Sequence, residues 1–380
     1  MAFEAADVDD NGRFEAEFIY PKLTRLSDGT NVHVRDFPAP ESAESSHRPV
    51  FLAPAWSATA DVYKDTLRTF VQGKRRVLTL NQPREGGDVT FTDEDFMAIP
   101  EARREKVRTL LAAIPQEEIR KAKVFVESMD ATGVNGMDAV AHSEGFVWIC
   151  AAALMRPDLF HSVVSAGGAG LIGKDTMAGL ITRFFKQTFV RPKYSPPTDL
   201  PALSKVVAKE RRAAIARGEM PAETPHTKET VFAQLSAARE AAAKRGITEL
   251  VSPDAAEQVR IDKITRESKL AGREHRRDAG TQRVLDEVKA LSNVDLEPII
   301  RELCSLGINV GLMVNDQDPV FKERRVRERF GTKEFQDLGV IISSAPGDHR
   351  TFPRRNFAAK AALSLLAIFD ERERRSGTGA

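Results

Sequence analysis

Short apolar runs recur along the chain and alternate with polar segments whose apolar positions repeat at helical spacing. Phe14 to Leu26 and Asn31 to Phe37 read as strands, and Asp28-Gly29 within Ser27-Asp28-Gly29-Thr30 predicts a hairpin between them. Ala39 to Arg48 is a polar loop. Pro49-Val50-Phe51-Leu52-Ala53-Pro54 reads as a buried strand, Ala60 to Val71 as a helix, and Arg76 to Leu80 as the next strand. A loop containing Gly86 and Gly87 leads to a helix-rich stretch from Glu101 to Thr132. A short strand then precedes a helix that runs to Met155, and Ser162 to Ala166 is strand again. Two late strands, from Asn309 and from Val340 to Ala345, bring the count to eight. A long helix follows the last of them. Strands alternating with helices predict an α/β fold with a mostly parallel sheet flanked by helices.

Residues 175–292 break this alternation. They read as helices over Thr176 to Val190, Leu200 to Arg217, Thr227 to Arg245 and Ser252 to Gly272, separated by Pro and Gly. The segment is too long for a connection without structure of its own. The chain therefore divides into 1–174, an inserted helical part at 175–292, and 293–380. The most apolar piece of the insert is Met177 to Phe189, where Leu180, Ile181, Phe184, Phe185 and Phe189 repeat at helical spacing. The later helices are dense in Lys, Arg and Glu, the pattern of solvated faces.

The candidate chemistry lies at the ends of the strands. Gly136-Met137-Asp138-Ala139-Val140-Ala141-His142-Ser143-Glu144-Gly145-Phe146 reads as strand, sharp turn and helix, with Ser143 at the turn. That is the layout of a nucleophile elbow, which holds a serine hydroxyl clear of the backbone. Its pattern here is Ala141-x-Ser143-x-Gly145. Asn309 to Phe321 is a strand ending in a polar turn with Asp316 and Asp318, and Val340 to His349 is a strand running into a loop that holds His349. Ser143, Asp318 and His349 each follow the C-terminal end of a predicted strand, the edge where open α/β sheets place their sites. In this order the segments resemble the α/β-hydrolase superfamily, over roughly residues 45–175 and 290–372.

The resemblance implies an α/β-hydrolase core, with residues 175–292 as a cap over the site. It implies Ser143 as nucleophile, His349 as general base and Asp318 as the acid that orients His349. Asp316 is the rival acid, and Asp318 is preferred because it precedes Pro319-Val320. The other histidines fit no metal-ligand spacing, and His142 is structural on this reading. Backbone N–H groups of Glu144 and Ala55 would form the oxyanion hole, and Trp56, Phe184 and Phe185 would wall the substrate pocket. Ala53-Pro54 stands where the family commonly has His-Gly, a departure at one half of that hole, and the Glu144 carboxylate is expected to point aside. The implied function is hydrolysis of a small ester, thioester or lactone through an acyl-enzyme. The alternatives are C–C bond hydrolysis by the same triad, and a slow or silent ligand-binding protein on the same fold.

Composition narrows the setting. Of the 380 residues 42% are hydrophobic and 29% charged, as expected of a soluble globular protein. A net charge of +1 gives no reason to expect nucleic acid. The acidic N-terminus lacks the apolar region of a secretory signal, and no apolar run approaches a membrane span. Only Cys150 and Cys304 are present, too few for a disulfide framework or a zinc site. The expectation is a cytoplasmic enzyme with a small-molecule substrate, without cofactor or metal; the sequence leaves the oligomeric state open.

Overall fold

The computed structural model describes residues 14, 22–39, 47–82, 91–189, 277, 280, 282, 284–345, 347–349, 351–354 and 356–377. Eight strands form one sheet: β1 (Lys22–Arg25), β2 (Asn31–Phe37), β3 (Val50–Ala53), β4 (Val77–Leu80), β5 (Met137–His142), β6 (Phe160–Ala166), β7 (Asn309–Asn315) and β8 (Ile341–Ala345). Their spatial order is β1-β2-β4-β3-β5-β6-β7-β8. β2 runs antiparallel to β1 and β4, and the pairs from β4 through β8 are parallel. β3, β4 and β5 are buried at every position, as a sheet covered on both faces requires.

The hairpin forms where Asp28-Gly29 predicts it, with Thr30 N–H donating to Asp28 Oδ1 at 2.8 Å and Gly29 N–H to the Leu26 carbonyl at 2.9 Å. Its first strand is described over Lys22–Arg25, Phe14 is helical, and residues 15–21 of the expected strand lie outside the described residues. Phe14 stacks on Phe37, ring centroids 4.6 Å apart.

The helices are α1 (Lys64–Gln72), α2 (Glu101–Ala112), α3 (Gln116–Thr132), α4 (Gly145–Met155), α5 (Met177–Phe189), α6 (284–292), α7 (Glu297–Ser305), α8 (Glu323–Phe330), α9 (Lys333–Asp337), α10 (Thr351–Arg354) and α11 (Asn356–Gly377). α1, α10 and α11 pack together, with α11 against β6, β7 and β8. α2, α3 and α7 pack around α4, which lies on β3, β5 and β6. Its sequence, GFVWICAAALM, is apolar all round, and every one of its residues is buried. Phe51, Phe125 and Trp148 meet beside it, with ring centroids 4.6 to 6.1 Å apart.

The chain divides into two compact units, Met1–Arg191 with Arg266–Ala380, and Pro192–Thr265. The second lies outside the described residues. So do the helices expected over 200–217, 227–245 and 252–272, and the loop with Gly86 and Gly87. Among the described residues no helix is long and apolar enough to cross a membrane.

Candidate active site

Ser143 follows β5 directly and takes a left-handed backbone, φ 54°. A non-glycine residue is rarely held there, and such conformations cluster at functional sites. The turn is fixed on both sides: Ser143 N–H donates to the Ala166 carbonyl at 3.2 Å, and the Ser143 carbonyl accepts from Ala169 N–H at 3.0 Å. Glu144 then opens α4, whose first-turn amides have no acceptor within the helix.

β7 ends at Asn315, and the next turn carries both candidate acids. Asp318 Oδ1 accepts the N–H groups of Val320 at 2.7 Å and Phe321 at 3.0 Å, which fixes the carboxylate. Its other oxygen lies 2.9 Å from His349 Nδ1, and His349 Nε2 lies 2.8 Å from Ser143 Oγ. With Nδ1–H donating to Asp318, Nε2 is free to accept the serine hydroxyl. All three residues are buried. The histidine rests against Gly167, where an added Cβ would come within 3.2 Å of His349 Nδ1. Asp316 does something else: its Oδ1 accepts Gly347 N–H at 2.8 Å and ties the acid turn to the histidine loop.

The two expected oxyanion donors fare differently. Glu144 N–H stands at the start of α4, beside Ser143. Its carboxylate is turned away and pairs with Lys121 of α3, whose Nζ also lies 3.0 Å from Glu118 Oε1. Burial works to lower the Lys121 pKa, but Glu118 and Glu144 outweigh it and hold the ammonium above its ordinary range. Burial, then the Glu144 charge, pushes Glu118 well above the usual carboxyl range. The reading of Ala55 as an open donor needs correction. Its N–H donates to Tyr63 Oη at 2.9 Å, because the turn Ala60–Tyr63 brings that hydroxyl under the loop after β3. Burial raises the Tyr63 pKa, so the hydroxyl stays protonated.

Above Ser143 lies a cavity of about 20 Å³, room for roughly one water. Its lining is mainly apolar and includes Trp56, Ile172, Leu180, Phe184, Leu291 and Phe321. Phe321 and Phe184 stand edge-on to the His349 ring, at centroid distances of 5.1 and 6.0 Å. Trp56 is held by its Nε1–H, which donates to Glu287 Oε2 on α6 at 2.7 Å. Arg183 of α5 donates to the Val320 carbonyl at 3.0 Å and so fastens α5 to the acid turn. The Phe185 side chain lies outside the described residues.

Tyr63, Gly167, Lys121 and Glu287 were not anticipated from the sequence, since each gains its position only through contacts distant along the chain. Among the described residues one group has the spacing of a metal site, Asp138, His161 and Asp370. Arg75 already supplies a cation there, 2.7 Å from Asp138 and 2.6 Å from Asp370.

No protein-family model matches the chain, and no curated protein matches it. Solved structures do. An esterase from Exiguobacterium antarcticum superposes with a TM-score of 0.51 at 12% identity, covering 92% of this chain and 100% of its own. A hydrolase from Pseudomonas aeruginosa gives a TM-score of 0.48 at 15% identity, covering 91% of this chain and 98% of its own. An α/β-hydrolase fold protein from Nakamurella multipartita gives 0.47 at 13%, covering 92% and 99%. The chain has the α/β-hydrolase fold.

Proposed function

We propose that the protein is a serine hydrolase acting on a small carboxylic ester, thioester or lactone. The observation that carries this reading is the buried line from Ser143 Oγ through His349 to Asp318, with separations of 2.8 and 2.9 Å. Ser143 Oγ attacks the acyl carbonyl while His349 Nε2 takes its proton. His349 then returns that proton to the leaving alkoxide or thiolate. Water attacks the acyl-enzyme with His349 again as base, releasing the acid and restoring Ser143. Asp318 keeps the Nδ1–H tautomer and stabilises the imidazolium. The Glu144 N–H, at the positive end of α4, faces the developing oxyanion.

Residues 175–292 act as the cap on this reading. Its described ends, α5 and α6, contribute Leu180, Phe184, Val288 and Leu291 to the cavity wall. The substrate is a small molecule and the setting cytoplasmic, consistent with two unpaired cysteines, one buried and one half-buried. The Tyr63 hydroxyl on Ala55 N–H favours a second reading, a slow or silent ligand-binding protein.

One experiment separates the two. A fluorophosphonate probe is expected to label Ser143, and Ser143→Ala to abolish labelling of folded protein. Absence of labelling in the folded wild type would favour the binding protein.

A further inference from the structure

Three hydrogen bonds join the loop after β3 to the backbone of the base. Ala55 N–H donates to Tyr63 Oη at 2.9 Å, Tyr63 Oη lies 2.7 Å from His142 Nδ1, and His142 Nε2 lies 2.9 Å from the His349 carbonyl oxygen. Their directions follow from the atoms. A carbonyl only accepts, so His142 Nε2 carries a hydrogen. Burial, reinforced by His349 nearby, lowers the His142 pKa to about 3, so the ring is neutral near neutral pH and Nδ1 holds a lone pair. Tyr63 therefore donates to Nδ1, and its oxygen accepts Ala55 N–H. Each group along the line uses the role left to it, and no second arrangement satisfies them all.

The anchors of this line are fixed as well. Ala60 N–H, at the head of the turn that bears Tyr63, donates to Asn81 Oδ1 at 2.9 Å. Thr66 of α1 donates to the Phe352 carbonyl, just beyond His349, at 3.2 Å. Tyr63 and His142 are buried, and neither lines the cavity. They reach the reacting atoms only through Ala55, His349 and the Ser143 turn.

We propose that Tyr63 and His142 are positioning residues that lock the oxyanion-side loop and the base into one unit on either side of Ser143. This rests on the serine-hydrolase reading. Attack on the carbonyl requires the Ser143 hydroxyl, His349 Nε2 and the loop that flanks them to be in register at the same instant. A displacement of about 1 Å between such groups costs on the order of 100-fold in rate. The line fixes that register through the backbone of the base and not through its reacting nitrogen.

The test is Tyr63→Phe, which keeps the ring and its edge-on packing on His142, 5.8 Å between centroids, and removes only the hydroxyl. With p-nitrophenyl acetate, kcat is expected to fall by about tenfold or more with KM within about twofold, the pattern of a lost transition-state interaction. His142→Gln, whose amide can still donate toward the His349 carbonyl, should retain more activity than His142→Ala. Proton–nitrogen NMR of the histidines supplies a readout independent of turnover. Tyr63→Phe should shift His142 Nδ1 and also the His349 Nδ1–H resonance, across the joint. Unchanged kcat with an unmoved His349 resonance overturns the proposal, as does a kcat loss matched by loss of folded protein. A wild type inert toward esters and fluorophosphonate overturns the hydrolase reading instead. The His349 resonance then decides the positioning role alone, and if Tyr63→Phe leaves it unmoved the proposal is wrong.

Discussion

Gly145 stands directly against Pro54: a Cβ built on Gly145 would lie 2.5 Å from the Pro54 carbonyl oxygen and 2.9 Å from that of Ala53. The first residue of α4 and the loop after β3 thus touch through their backbones. The helix after Ser143 and the loop after β3 share one contact, which only a residue without a side chain permits.

Gly145→Ala should therefore force the two backbones apart. A methyl group pressed into packed backbone typically costs about 1–3 kcal/mol of stability. The displacement should slow fluorophosphonate labelling of Ser143 by about 100-fold or more, beyond what the fall in melting temperature explains. A labelling rate equal to wild type in folded Gly145→Ala would show that this contact does not set the nucleophile.

Lys121 pairs with Glu144, the residue next to Ser143, and with Glu118 behind it. Lys121→Met is expected to destabilise the protein by about 3–5 kcal/mol, because it leaves the buried Glu144 carboxylate without a cation. Adding Glu118→Gln to Lys121→Met should recover part of the loss. Chemical denaturation of the wild type, both single variants and the double variant measures this, and strictly additive losses would refute the coupling.

Glu118 gives that cluster a pH signature. Its folded pKa is raised, chiefly by burial and then by Glu144, so the folded chain keeps a proton that the unfolded chain has released. The stability it contributes is complete below its unfolded value near 4.5 and is lost as pH rises toward the folded value. The limiting slope is about 1.4 kcal/mol per pH unit. Glu118→Gln cannot titrate, so its stability relative to wild type should increase with pH through that window. Parallel stability curves for the two proteins would count against a raised Glu118.

The placing of Ser143, Asp318 and His349 was legible because it depends on short-range signals. Ser143 sits in a strand–turn–helix string, and Asp318 and His349 each end an apolar strand, so local pattern placed all three at one sheet edge. The hairpin was legible through Asp28-Gly29. Phe14 was misread as strand because its apolar ring serves packing on Phe37 and not a ladder. The helices α8 and α9 were not read at all: ERRVRERF has one wide polar face, with only Val326 and Phe330 buried. The fate of Ala55 N–H was out of reach as well, since its acceptor comes from Tyr63, on the far side of a turn with no capping side chain to announce it.

Asp318 and Asp316 lie two residues apart, but only Asp318 meets His349. Asp318→Asn should lower kcat by roughly 10⁴-fold with little change in folding, since the amide favours the wrong imidazole tautomer. Asp316→Asn keeps an oxygen for Gly347 N–H and should be far milder. Steady-state kinetics on one ester compares them, and equal losses would mean that the loop tie matters as much as the acid.

Phe184 closes the cavity from α5 and stands edge-on to His349. With space for about one water above Ser143, the wild type should favour the shortest acyl groups. Phe184→Ala removes the ring and should open room along the face that Leu180 shares. Each buried CH₂ of substrate is worth about 0.8 kcal/mol, roughly fourfold in kcat/KM. Across a series of p-nitrophenyl esters the preferred chain should lengthen, with a several-fold gain per added carbon until the new space is filled. A melting temperature that falls while the relative kcat/KM values stay unchanged would show that Phe184 only packs α5 against the core and takes no part in choosing the substrate.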